Sequence, residues 1–156
     1  MRMAALAVLV AVASARGAAG QSTRQAPVPA PVLRPVGTMS DLMVHLIRPT
    51  SDAVFYITSR TPATDAEWGT LQAQTLTLAE AGHLLLMPSR ARDRPRWQAD
   101  AALMLEAGRK AFAAATAKDV PALEALNDEL YQSCVTCHQH FRPGYGKRPG
   151  APAPRR

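Results

Sequence analysis

From Leu123 to Phe141 the apolar positions Leu123, Leu126, Leu130, Cys134, Cys137 and Phe141 step by 3, 4, 4, 3 and 4 residues. Such spacing marks one face of an α-helix. A face of this kind needs a partner surface to bury against. The chain shows no convincing strand pattern, so the partners must be helices too. Asp119 can cap this last helix, with Pro121 in its first turn. The spacing puts both cysteines on the buried face.

Three earlier segments supply the partners. The first starts near Thr38, where Thr38 and Asp41 resemble a capping box. Met39, Leu42, Met43, Leu46 and Ile47 follow at helical spacing, and Val54, Phe55 and Ile57 carry the apolar face to about Ser59. Pro49 interrupts this segment and must kink or split it, since it lacks an N–H and clashes with the preceding turn. The second starts at the capping box Thr64–Glu67 and stops by Met87, before Pro88. Its inner stripe is Trp68, Leu71, Thr75, Leu78, Gly82 and Leu85. The third begins around Arg94-Pro95 and buries Trp97, Ala101, Met104, Gly108, Ala111, Phe112 and Ala115. Its alanines and Gly108 invite close approach by a neighbour. Four helices on short loops predict an all-α fold, a four-helix up-down-up-down bundle.

Cys134-Val135-Thr136-Cys137-His138 carries the chemistry. A C-x-x-C-H run reads as the attachment site of a c-type haem (heme c). Each thiol forms a thioether to one vinyl group, and His138 binds the iron from the proximal side. A thioredoxin-like pair would sit where a strand turns into a helix, and no strand precedes this one. A closed zinc site needs four ligands, and here Cys134, Cys137 and His138 or His140 would crowd onto barely two turns. These are the only cysteines in the chain, so no sulfur remains for a disulfide framework. One covalent haem near the C-terminal end of the fourth helix is the expected cofactor. His140 is expected on the surface as a solvated imidazole.

The start of the chain agrees. Met1-Arg2-Met3 is a short positive region, Ala4 to Ala13 is apolar, and small residues follow at Ala13-Ser14-Ala15 and Gly17-Ala18-Ala19-Gly20. This is the pattern of a secretory signal peptide over residues 1–20. Export implies a periplasmic location, where bacterial c-type haem attachment takes place. The apolar stretch is about half of a membrane span, and no cysteine follows it to carry a lipid, so no stable membrane anchor is expected. Residues 21–37 form a proline-rich spacer, 38–145 the helical domain and 146–156 a basic, proline-rich tail. The net charge of +6 falls to about +4 once Arg2 and Arg16 leave with the signal. That excess does not argue for nucleic acid. Arg142, Lys147, Arg148, Arg155 and Arg156 cluster after the haem motif, as a solvated tail or as a means of steering an acidic partner.

Over roughly residues 38–145 the chain resembles the class II c-type cytochromes, the cytochrome c′ family. Cys134-Val-Thr-Cys137-His138-Gln-His-Phe141-Arg142 matches that family's C-x-x-C-H-x-x-[FY]-R ending. The resemblance implies a four-helix bundle, haem attachment at Cys134 and Cys137, His138 as proximal ligand, and Arg142 beside the proximal haem face. Pro49 and the long proline-rich leader depart from the family pattern. High-spin members block the sixth iron position with an apolar side chain and bind small gases. Low-spin members place a methionine there and transfer electrons.

In an up-down-up-down bundle, the end of the fourth helix lies level with the start of the first and the end of the second. Met43, Met39, His83 and His45 are therefore the candidates for the sixth position, with an open site as the alternative. Met43 lies level with His138. Met39 is in the first turn, where helices fray. His45 lies about 200° round the helix from Met43, and His83 is the competitor from the second helix. The expected function is electron transfer by a mono-haem cytochrome with His138 and Met43 as iron ligands. The alternatives are a five-coordinate protein binding nitric oxide or carbon monoxide, and a haem-bearing subunit of a larger redox complex. No acid/base constellation can be assigned to the distal face, so an enzyme is not expected. The partner is a redox protein of unknown identity, and a homodimer remains open.

Overall fold

The computed structural model describes residues 34–146. The expected signal peptide (residues 1–20), residues 21–33 of the expected spacer, and Lys147, Arg148, Arg155 and Arg156 of the expected tail lie outside the described residues. Among the described residues the secondary structure is entirely helical, with no strand. No described helix is long and apolar enough to cross a membrane.

The helical elements fall into four rods. The first joins α1 (Met39–Leu42), a π-helical segment (Met43–Ile47) and α2 (Arg48–Phe55). The capping box is complete: the Asp41 N–H donates to Thr38 Oγ1 at 3.1 Å, and the Thr38 N–H donates to Asp41 Oδ2 at 2.9 Å. Pro49 neither breaks nor sharply splits this rod. The widened π turn precedes it, with the Arg48 N–H reaching back to Met43 O. Pro49 then falls in the first turn of α2, where a missing N–H costs nothing. Thr50 donates its hydroxyl back to Leu46 O at 2.7 Å and Ile47 O at 3.0 Å, the i−4 and i−3 carbonyls of its own turn. α2 ends at Phe55, short of the expected Ser59, and Ile57 is buried from the turn beyond it.

α3 (Asp65–Leu85) and α4 (Arg94–Thr116) are the long pair. The Thr64–Glu67 box starts α3, and Pro95 opens α4. They run antiparallel: Lys118 Nζ meets Asp65 Oδ1 at 2.6 Å at one end, and Trp97 Nε1 donates to Leu85 O at 2.7 Å at the other. Between these ends the backbones touch. A methyl group at Gly108 would lie 2.8 Å from Ala79 Cα, and one at Gly82 2.8 Å from Leu105 Cβ.

The fourth rod is interrupted. α5 (Val120–Ala125), capped by Asp119 through the Ala122 N–H at 2.9 Å, stops at Leu126, and α6 (Asn127–Phe141) resumes. α6 packs on α4 in antiparallel sense: Lys110 Nζ lies 2.7 Å from Glu129 Oε1, and the Trp97 and Phe141 rings meet edge-on at 4.8 Å. The core between the rods is Val54, Leu78, Ala81, Ala107, Leu123 and Leu130, with Trp68 and Trp97 toward its ends.

Candidate functional site

The last three turns of α6 present Cys134, Cys137 and His138 toward α1, the π segment and the start of α4. A cleft of about 400 Å³ is lined by Met39, Ser40, Met43 and Val44 on one side, by Cys137, His138, Phe141, Arg142 and Pro143 on the other, and by Arg92 and Trp97. An adjoining hollow of about 40 Å³ is lined by Met43, Ile47, Leu85, Asp100, Ala101, Met104, Ser133, Cys134, Cys137 and His138. Met43, Cys137 and His138 belong to both spaces. Cys134 lines the inner hollow and Arg142 the outer cleft.

Both cysteines are half-buried free thiols, less enclosed than their place in the apolar spacing suggests. Burial pushes the Cys134 thiol up. Cys137 is pushed up to about 11, by burial first and then by the charges of Asp100 and Cys134. The sulfurs are therefore protonated thiols at neutral pH, poorly suited to metal binding or disulfide exchange as thiolates. His138 moves the other way. Burial and the nearby Arg142 charge lower its pKa, so the imidazole is neutral and its lone pair available.

His138 is held by its own helix end. Arg142 caps α6, donating its N–H to His138 O at 2.9 Å. The chain then turns through Gly144 at φ +80°, a left-handed conformation suited to glycine. That turn brings the Tyr145 ring edge-on to His138 at 4.9 Å, and the Arg142 guanidinium lies 5.8 Å from the same ring.

Of the other sequence candidates, Met39 shares the outer cleft with Met43 but not the inner hollow. His83 and His45 line a separate groove of about 550 Å³ with Asp41 and Arg90, and neither touches the space around His138. His83 is largely exposed and lies 3.3 Å from Glu80. His140 is not a free surface imidazole. Its Nδ1 lies 2.7 Å from Oδ2 of Asp100, a carboxylate only 6% exposed.

Asp100, Arg92 and Tyr145 escaped the sequence reading. Asp100 sits three residues after Trp97 on the inner stripe of α4, and a lone carboxylate on an apolar face is a signal that it needs a partner. Pro143-Gly144 marks the turn that returns Tyr145. Arg92, whose Nη1 donates to Phe141 O at 3.3 Å, has no sequence signal tying it to a residue 49 positions away.

Chemically, the site offers two thiols, one neutral imidazole and the thioethers of Met39 and Met43 along an apolar cleft, with guanidinium groups at Arg92 and Arg142 and a third thioether, Met104, in the hollow. Among the described residues, no three His, Cys, Asp or Glu side chains converge to hold a bare metal ion. Comparison with protein-family models, with curated proteins and with solved structures finds no match to this chain.

Proposed function

We propose that the chain is an exported mono-haem c-type cytochrome of the class II type, a four-helix up-down-up-down bundle that transfers electrons. The observation that carries this is the convergence of Met43, Cys137 and His138 on one cleft, with Cys134 in the hollow behind it. The donor set fits a haem better than a bare ion, because a macrocycle brings four nitrogens and asks the protein for only one or two ligands. The apolar lining from Met39, Met43, Trp97 and Phe141 suits a flat hydrophobic ring, and Arg92 and Arg142 suit its carboxylates.

Cys134 and Cys137 would hold the group, each S–H adding across a vinyl double bond so that sulfur bonds one carbon and hydrogen goes to the other. His138, neutral and propped by Tyr145, would be the proximal ligand. Met43 would be the sixth ligand. It opens the π segment, a widened turn of the kind that recurs at functional sites. A haem held in this way supplies a one-electron couple, and a thioether ligand raises its potential. The leader Met1 to Gly20 supports export to the periplasm.

Absorption spectra of the oxidised and reduced protein test this reading. Low-spin haem that turns high-spin and binds carbon monoxide in Met43→Ala is the expected result, with Met39→Ala changing little. A wild type already high-spin and open to carbon monoxide would establish the gas-binding alternative and refute Met43 ligation.

A further inference from the structure

The segment that joins α3 to α4 and opens α4 is Ser89-Arg90-Ala91-Arg92-Asp93-Arg94-Pro95-Arg96, four arginines within seven residues. Arg92, Arg94 and Arg96 are exposed, as is Arg142 at the end of α6. Arg92 lines the Met43–His138 cleft together with Arg142 and binds the last carbonyl of α6. Trp97, one residue after Arg96, lines the same cleft. None of the ion pairs among the described residues involves these arginines.

Their placement works against the helix they open. The N-terminus of a helix carries partial positive charge and favours acidic side chains. α3 follows that rule with Asp65 and Glu67 in its first turn. α4 has no acidic residue there and carries Arg94 and Arg96 instead. Asp93, at the N-cap position, makes no side-chain bond to the α4 backbone. Two arginines in a helix's first turn break a local rule, and such breaks tend to mark functional surfaces.

We propose that Arg94 and Arg96, beside the Arg92 and Arg142 that line the cleft and would face the haem carboxylates, form a basic collar and are the docking face for an acidic redox protein. The inference rests on the electron-carrier reading. The collar orients the incoming partner so that its acidic surface meets the end of the domain that carries His138. Complementary charge of this kind raises the rate of encounter and fixes orientation, and salt weakens both effects.

The test is electron transfer to the oxidised holoprotein from a reduced acidic [2Fe–2S] ferredoxin, used as a probe in anaerobic stopped-flow across ionic strength. The wild-type haem spectrum is recorded first. Its absence refutes the carrier reading, whereas the outcomes below bear on the collar alone. The wild-type second-order rate should fall by on the order of tenfold between low and high salt. Arg94→Gln/Arg96→Gln should slow the low-salt rate by roughly three- to tenfold and converge on wild type at high salt. Arg96→Gln alone should give about half that effect on a logarithmic scale. Arg109→Gln/Lys118→Gln removes the same charge elsewhere and should stay within about twofold of wild type. Equal slowing by the two double variants would show a net-charge effect without a docking face. A salt-independent wild-type rate would equally overturn the collar.

Discussion

Replacing Gly108 by alanine should destabilise the protein, although the same exchange usually strengthens a helix. In an exposed helix interior Gly→Ala gains about 0.5–1 kcal/mol. At Gly108 the new methyl would lie 2.8 Å from Ala79 Cα, 2.9 Å from Ala79 N and 3.3 Å from Ala79 Cβ. Carbon atoms pack comfortably at about 3.5–4.0 Å, and two of these obstacles are backbone that cannot rotate away. α3 and α4 must therefore separate by roughly 1 Å at their crossing, in a core where overpacking costs about 1–3 kcal/mol. Subtracting the helix gain leaves a net loss of about 0–2.5 kcal/mol, centred near 1. Gly69 is the internal control: it sits on the exposed face of α3, and a methyl there meets nothing within 4 Å. Gly69→Ala should stabilise by about 0.5–1 kcal/mol. Urea unfolding of both variants, read as midpoint shifts at constant slope, decides the matter. A Gly108→Ala variant stabilised as much as Gly69→Ala would refute the close-contact account of the α3–α4 pair.

Two further predictions concern charge. Asp41, Asp65 and Glu67 all have pKa values held below the ordinary range, by Thr38, by Lys118, and by the Ala63 and Thr64 N–H groups respectively. A depressed carboxylate stabilises the fold above its unfolded value, and the benefit is lost as pH falls through the folded value. For Glu67 that loss begins below its ordinary value of 4.5, and Glu67→Gln should flatten part of the acid limb of a thermal-melt profile. An unchanged acid limb in that variant would show that the capping carboxylate does not contribute. Asp100→Ala and His140→Ala should each lower stability by about 1–2 kcal/mol, while the double variant loses less than the sum. Strict additivity in that cycle would mean that the 2.7 Å contact is not an interaction.

What the sequence made legible was local. The Thr38–Asp41 and Thr64–Glu67 boxes, Pro95 in the first turn of α4 and Asp119 before α5 each act within four residues, and each starts a helix in the structure. What it hid was set by tertiary contact or by backbone changes that keep helical phase. Leu126 interrupts the fourth rod at φ −81°, ψ −10°, so the apolar stepping runs through the break without a trace. Pro49 announced a disturbance, but not the π turn just before it, in which the Arg48 N–H reaches Met43 O and the rod continues. His83 has the expected position along α3, yet it faces another groove, since height in a rod does not fix rotation about it. Cys134, Cys137 and His138 were singled out by their spacing. Their gathering with Met43 required the whole fold. Asp100 joined to His140 spans 40 residues of sequence, and Arg92 joined to Phe141 spans 49.

The most direct measurement is intact mass and visible absorption of the protein after export in a host with haem-maturation machinery, followed by acid–acetone extraction. The account predicts that one haem stays with the polypeptide, that the iron spectrum is lost in His138→Ala, and that Cys134→Ala or Cys137→Ala sharply lowers haem yield. Colour that passes wholly into the acetone, with the polypeptide at its apoprotein mass, would contradict it.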